Sequence, residues 1–196
     1  MPTSATNAQP LDHAGDETQH ALRAFERIHD PASTRRLEAL GVGHGWRCLE
    51  VGAGGGSITR WLCSKVGPAG RVLAVDIDTR FVGGIRSANL DVACLDVTTV
   101  FLPAASFDLV HARALLSCLA DPGAVLDRLV TTLAPGGRLL LEELHDTTAD
   151  AGPAGNDSAW AADLPRQLAD RGLSDLGVES NTTNEGAMIA AWGHRR

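Results

Sequence analysis

Apolar positions in the first quarter of the chain recur at helical spacing. From Trp46 onward the pattern changes to short apolar runs alternating with helical segments. Leu22, Phe25 and Ile28 recur at threes and predict an amphipathic helix over Glu17–His29. Asp30-Pro31 then reads as a cap and first residue of a second helix, which carries Leu37 and Leu40 and ends at Gly41. Trp46–Val51 reads as a strand. Ser57–Val66 reads as a helix with Ile58, Leu62 and Val66 four apart and Gly67-Pro68 as its stop. Arg71–Ile77 is a predicted strand, Thr79–Arg86 a short helix weakened by Gly83-Gly84, and Leu90–Leu95 and Phe107–Val110 two more strands. Asp121-Pro122 caps a helix with Val125, Leu126, Leu129, Val130 and Leu133 on one side, and Ala134-Pro135-Gly136-Gly137 turns the chain into a strand over Arg138–Leu144. Asp157–Arg171 reads as a helix with Pro165 inside or interrupting it, followed by strands over Leu173–Ser180 and Ala187–Trp192.

Strands that alternate with helices pair in parallel through right-handed crossovers. Continuous apolar runs such as Val72-Leu73-Ala74-Val75 fit a sheet covered on both faces. The predicted class is therefore α/β. Residues 1–16, polar and small with Pro2 and Pro10, are expected to fray.

Composition narrows the functions. The chain has 196 residues, 44% hydrophobic and 21% charged, enough for one domain with a real core. Its formal net charge of −7 opposes binding to phosphate backbones, and with 4% aromatic residues and no Tyr it offers no stacking surface for single strands. No run approaches the length of a membrane span, and the first Arg is Arg23, so no basic leader of the secretory kind is read. A cytoplasmic location is expected. Cys48, Cys63, Cys94 and Cys118 show no paired spacing and are expected to be buried, reduced thiols.

The most informative segment is Leu49-Glu50-Val51-Gly52-Ala53-Gly54-Gly55-Gly56-Ser57, between a predicted strand and a predicted helix. Bare glycines let a backbone turn and approach a ligand. In an open parallel sheet such ligands bind at the carboxyl ends of strands. Asp76 ends the next strand, placed to accept from two ribose hydroxyls, and Asp96 ends the one after, placed for the amino group of an adenine. Ile77 and Val97 supply apolar cover for a ring. A dinucleotide fingerprint needs a third glycine where Ser57 stands, which makes a dehydrogenase the weakest alternative, and no phosphate-binding lysine motif is present. The acid-led loop suits a ligand without pyrophosphate, such as a sulfonium nucleoside carrying an amino acid.

These segments resemble the motifs of class I S-adenosylmethionine-dependent methyltransferases. Leu49 to Ser57 resembles their first motif, Val75-Asp76-Ile77-Asp78 their acidic second one, and Leu95-Asp96-Val97 the adenine-contacting one. Phe107 to Arg113 is similar to their fourth strand and the loop after it, and Leu133 to Leu141 to the turn into the fifth. The wording looks most like small-molecule enzymes of actinobacterial type, which act in secondary metabolism. The resemblance implies a Rossmann-like, seven-stranded, mostly parallel sheet with helices on both faces and a short N-terminal helical extension. It implies one domain over 17–196: a helical extension at 17–42, a cofactor-binding half at 43–146, and a C-terminal helix and last two strands at 147–196. It implies S-adenosylmethionine held by Glu50, Gly52, Ala53, Gly54, Asp76, Ile77, Asp96 and Val97, with His111 near the sulfonium, and a last strand pair forming a hairpin-like edge.

The expected reaction is methyl transfer to a small-molecule acceptor. Such a transfer needs a base only when the acceptor keeps its proton at neutral pH. Arg113, Glu142, Glu143 and the pair His145-Asp146 lie near the strand ends, and His145 is the candidate base, with a loop histidine on the surface as the plain alternative. His111, His145 and Asp146 lack diagnostic metal-ligand spacing. The loop over 147–156 is short for the family, so the acceptor side is expected to be open, or roofed by residues 1–30 or by a second subunit in a homodimer. Two other functions fit the same motifs: a fold that uses the cofactor structurally in a cyclisation or rearrangement, and a non-catalytic cofactor-binding module.

Overall fold

A computed structural model of the chain describes residues 13–145, 158–183 and 186–196. Its elements are α1 (His13–Ala39), β1 (Arg47–Val51), α2 (Ser57–Val66), β2 (Arg71–Asp76), β3 (Leu90–Cys94), β4 (Phe107–Arg113), α3 (Pro122–Thr132), β5 (Leu133–His145), α4 (Ser158–Ala162), α5 (Leu164–Asp170), β6 (Leu173–Thr183) and β7 (Gly186–Arg195). The seven strands lie in the order β3-β2-β1-β4-β5-β7-β6. β1 to β5 pair in parallel, and β7 runs antiparallel to both β5 and β6. Connectivity reverses between β1 and β4, so a crevice opens above their carboxyl ends.

Alternating side chains along the central strands feed two cores. Leu49, Val110, Leu139 and Leu141 pack with Leu126, Leu129 and Leu164 on one face. Cys48, Leu109 and Leu140 pack with Leu37, Ile58 and Leu62 on the other. Both faces are dry, which is why these strands read as unbroken apolar runs.

The expected break at Asp30-Pro31 is absent. α1 passes through Pro31 as one helix. Asp30 does not cap it, because its carboxylate accepts from Ser57 Oγ at 3.0 Å and pairs with Arg113 at 2.9 Å. Those contacts, with the Ser33 and Thr34 hydroxyls bonded back to the carbonyls of His29 and Asp30, hold the helix through its missing N–H. The helix expected over Thr79–Arg86 is reduced to one 3₁₀ turn at Val82–Gly84, as Gly83-Gly84 favours. The last helix divides at Asp163, and Pro165 opens the second piece. Asp157 and the 147–156 loop lie outside the described residues, as do residues 1–12; residues 13–16 are already helical. All four cysteines are free, but Cys94 and Cys118 are exposed rather than buried. Cys94 lies on the edge strand β3 and Cys118 in the turn after β4, where the core does not reach. Among the described residues no helix is long and apolar enough to cross a membrane.

The segment Ala134–Gly137 belongs to β5 as an irregularity in its pairing with β4, where the register shifts between Phe107 and Leu109. A methyl group on Gly137 would lie 2.8 Å from the carbonyl oxygens of both Ala134 and Phe107, which are fixed backbone. Gly137→Ala is therefore expected to cost about 2 kcal/mol. The melting temperature should fall by roughly 4–8 °C, measured by calorimetry.

Candidate functional site

The glycine loop leaves β1 and turns back over the tip of β2. Gly54 sits at φ 51°, a left-handed conformation that suits glycine. Its N–H donates to Asp76 Oδ2 at 2.8 Å, while Asp76 Oδ1 accepts from the Asp78 N–H at 2.9 Å. Gly52 N–H donates to the Val75 carbonyl at 2.9 Å. The β2 tip thus sets the loop's shape.

Two adjoining cavities open on this loop. The larger, about 650 Å³, has Glu50 at its floor, Gly52 to Gly55 along one side, Arg113 to Leu115 opposite, and Leu22, Phe25 and Glu26 of α1 as its wall. The smaller, about 370 Å³, lies between the tips of β2 and β3 and is lined by Ile77, Leu95, Asp96 and Val97. Gly52, Asp76 and Leu115 line both. Ile77 is 74% exposed, an unusual place for a large apolar side chain unless a ligand covers it. Asp96 is exposed, and its Oδ1 accepts from the Thr98 hydroxyl and N–H at 2.6 and 2.8 Å. Those bonds hold its carboxyl below the usual range.

His111 lines neither cavity. It is fully buried beneath the floor, with Nδ1 2.8 Å from Glu50 Oε2 and Nε2 3.0 Å from Glu142 Oε2. Both nitrogens face carboxylates, so both carry protons. Arg36 of α1 reaches the other oxygen of Glu142 at 2.5 Å and Glu179 of β6 at 3.3 Å. Beside this chain of charges, Arg113 donates to Asp30 at 2.9 Å and to Ser33 Oγ at 2.8 Å, and its guanidinium lies over the Phe25 ring at 5.3 Å. Glu143, also buried, accepts from Leu116 N–H at 2.9 Å and Ser117 Oγ at 2.8 Å, which fixes the turn carrying Leu115.

His145 ends β5 opposite Ala187 and lines neither cavity; Asp146 lies outside the described residues. Sequence reasoning missed Glu26, Asp30 and Arg36. A signal was present in α1, whose inward positions His29, Ser33 and Arg36 are polar at helical spacing. Among the described residues no group of three or more metal-ligating side chains forms.

Residues 49–141, which span the loop, both acidic strand tips and the β4–β5 pair, match the model described as a methyltransferase domain. Over that stretch, just under half of its length, the chain resembles class I S-adenosylmethionine-dependent methyltransferases. Methyltransferase str2 of Strobilurus tenacellus is 32% identical over 74% of this chain, which spans about half (52%) of str2. The C-methyltransferase UbiE of Stutzerimonas stutzeri is 27% identical, over 75% of this chain and 69% of its own length. The fold matches 1,6-didemethyltoxoflavin-N1-methyltransferase of Burkholderia thailandensis, solved with 1,6-didemethyltoxoflavin and S-adenosylhomocysteine. That match has a TM-score of 0.69 at 18% identity, over 99% of this chain and 93% of the other.

The charge beneath the floor has a measurable consequence. Burial works against a charged His111, but Glu50 and Glu142 on its two nitrogens outweigh burial and raise its pKa from 6.5 to about 9. Burial pushes Glu142 up, and the His111 hydrogen bond and charge, aided by Ser33 and Arg113, bring it well below the usual carboxylate range. A raised histidine stabilises the fold fully below its unfolded pKa of 6.5 and loses that contribution as pH rises through about 9. The contribution is on the order of 3 kcal/mol. The wild-type melting temperature is expected to fall by roughly 6–12 °C between pH 6.5 and 9.5. His111→Gln, which cannot take the proton, should be less stable at pH 6.5 and show a flatter profile; calorimetry across that range checks this.

Proposed function

We propose that the chain transfers the methyl group of S-adenosylmethionine to a small-molecule acceptor. The observation that carries this reading is the pair of adjoining cavities that share Asp76, one edged by the bare glycine loop and the other by exposed Ile77 and exposed Asp96. The residues fit that cofactor. Asp76 already accepts two backbone N–H groups, and an ionised carboxylate has about four lone-pair sites, so it can still take ribose hydroxyls. Ile77 and Val97 would cover the adenine, and the Asp96 oxygen that Thr98 leaves open would meet its amino group. Glu50, Gly52, Ala53 and Gly54 would line the path of the amino-acid part.

S-adenosylmethionine, when bound, supplies a methyl group on a positively charged sulfur. The chain's own work is to orient and to exclude water. Leu22 and Phe25 from α1 and Leu115 from the turn after β4 make the dry wall. Glu143 holds that turn in place through its backbone N–H groups. His111 acts from below: it fixes Glu50 and does not reach the cavity. For an acceptor that keeps a hydroxyl proton, His145 is the candidate base at the end of β5. We read the acceptor as a diffusible cytoplasmic metabolite of secondary metabolism, with a homodimer as one way to cover the acceptor side. The net charge of −7 and the quinone and toxoflavin enzymes among its relatives support a small molecule over nucleic acid.

Titration calorimetry with S-adenosylmethionine and S-adenosylhomocysteine tests the site. The wild type should bind both at micromolar levels, and Asp76→Ala should weaken both by roughly tenfold to hundredfold, the size of one or two hydrogen bonds to a charged group. Methyl-labelled cofactor incubated with cell extract tests the reaction. Label on a small molecule supports transfer. Binding without turnover supports the structural-cofactor alternative.

A further inference from the structure

Three carboxylates line the larger cavity, and two of them already have a place in the reading above. Asp76 holds the loop and Glu50 holds His111. The third, Glu26, comes from α1. Its Oε1 accepts from the Ser57 N–H at 3.1 Å, at the N-terminus of α2. There the carboxylate takes the place where the positive end of a helix would otherwise hold a phosphate. It thereby bars the loop to pyrophosphate ligands and leaves a negative charge in the cavity.

Gly55 shows that this placement is built in. Unlike Gly52, Gly54 and Gly56, it is not among the glycines at positive φ, so its backbone does not require glycine. Space does. A methyl group on Gly55 would lie 2.4 Å from Glu26 Oε1 and 2.9 Å from its carboxyl carbon. The loop is bare at this point so that the α1 carboxylate can come down on it.

We propose that Glu26 receives the α-ammonium group of the cofactor's amino-acid part, and that Gly55 is glycine to admit it. This rests on the cavity being the S-adenosylmethionine site. With the ribose at Asp76 and the adenine between β2 and β3, the amino-acid tail runs along Gly52 to Gly55 toward Glu26. A carboxylate there attracts the ammonium and repels the cofactor's own carboxylate. Arg113, the guanidinium lining the same cavity, is the group left for the latter. Glu26 therefore confers selectivity for an adenosyl amino acid over an adenosine thioether without one.

The test is titration calorimetry on the full chain with two probes, S-adenosylhomocysteine and 5′-methylthioadenosine, which share the nucleoside thioether but differ in the amino acid. Glu26→Gln should weaken S-adenosylhomocysteine roughly tenfold or more and leave 5′-methylthioadenosine within about twofold. Gly55→Ala displaces only the flexible end of Glu26, so it should melt near the wild type and show the same selective loss. The double variant should bind no more weakly than Glu26→Gln alone, because both changes remove one contact. An unchanged or tighter S-adenosylhomocysteine affinity in Glu26→Gln overturns the proposal, since the carboxylate would then be a stand-in that the ligand displaces. So does an equal loss for both probes, the mark of a merely structural role. A wild type that binds neither probe overturns the reading of the site itself and this proposal with it.

Discussion

A hydrogen bond of 2.8 Å from the Gly54 N–H to Asp76 joins a loop without side chains to the end of the neighbouring strand. A glycine loop has no side chains with which to hold its own shape, and its N–H groups need acceptors if they are to stay in one place. Here the acceptors are carboxylates from elements far along the chain: Asp76 from β2 for Gly54, and Glu26 from α1 for Ser57. The two cavities meet at that same carboxylate. The group that shapes the loop is thus the group that would read a sugar, and the site's geometry does not depend on a flexible side chain finding its place.

The wall of the site is held by charge. The C-terminal part of α1 packs through Leu37, with Leu40 just beyond its end, into an apolar core, but the part that faces the strand tips presents Ser33 and Arg36 to Glu142, Arg113 and Glu179. An isolated buried charge costs several kcal/mol, so such an arrangement stands only if the signs alternate and nearly every lone pair has a donor. They do: Glu50, His111, Glu142, Arg36 and Glu179 follow one another in that order. A polar interface of this kind specifies one seating of the helix, since a slip of one turn would leave charges unpaired. It also connects the cavity floor to the edge strand β6 through continuous contacts.

Much of the fold could be read from local sequence. Ser57–Val66 and the helix opened by Asp121-Pro122 follow their apolar spacing and their caps, and Asp121 accepts from Ala124 N–H as a cap should. The two acidic strand tips were legible because topology alone places successive strand ends side by side. Asp30-Pro31 was misread because it carries the local signature of a helix start, while its carboxylate answers to Ser57 and Arg113, 27 and 83 residues away. Arg36 meets its partner Glu142 across 106 residues, and no local rule reports such a pairing. His111 shows the same limit from the other side: its place near the strand tips follows from sequence, but whether it faces the cavity or lies beneath it depends on the neighbouring strands that supply Glu50 and Glu142. The exposed Cys94 and Cys118 look apolar in sequence but fall at a sheet edge and a turn.

Whether the tips of β1, β2 and β3 together grip an adenosyl group is decided by a crystal structure of the chain with S-adenosylhomocysteine. Density should run across both cavities, with the ribose hydroxyls within hydrogen-bond distance of Asp76 and the adenine against Ile77 and Val97. A ligand bound elsewhere, or a ribose turned away from Asp76, would contradict it.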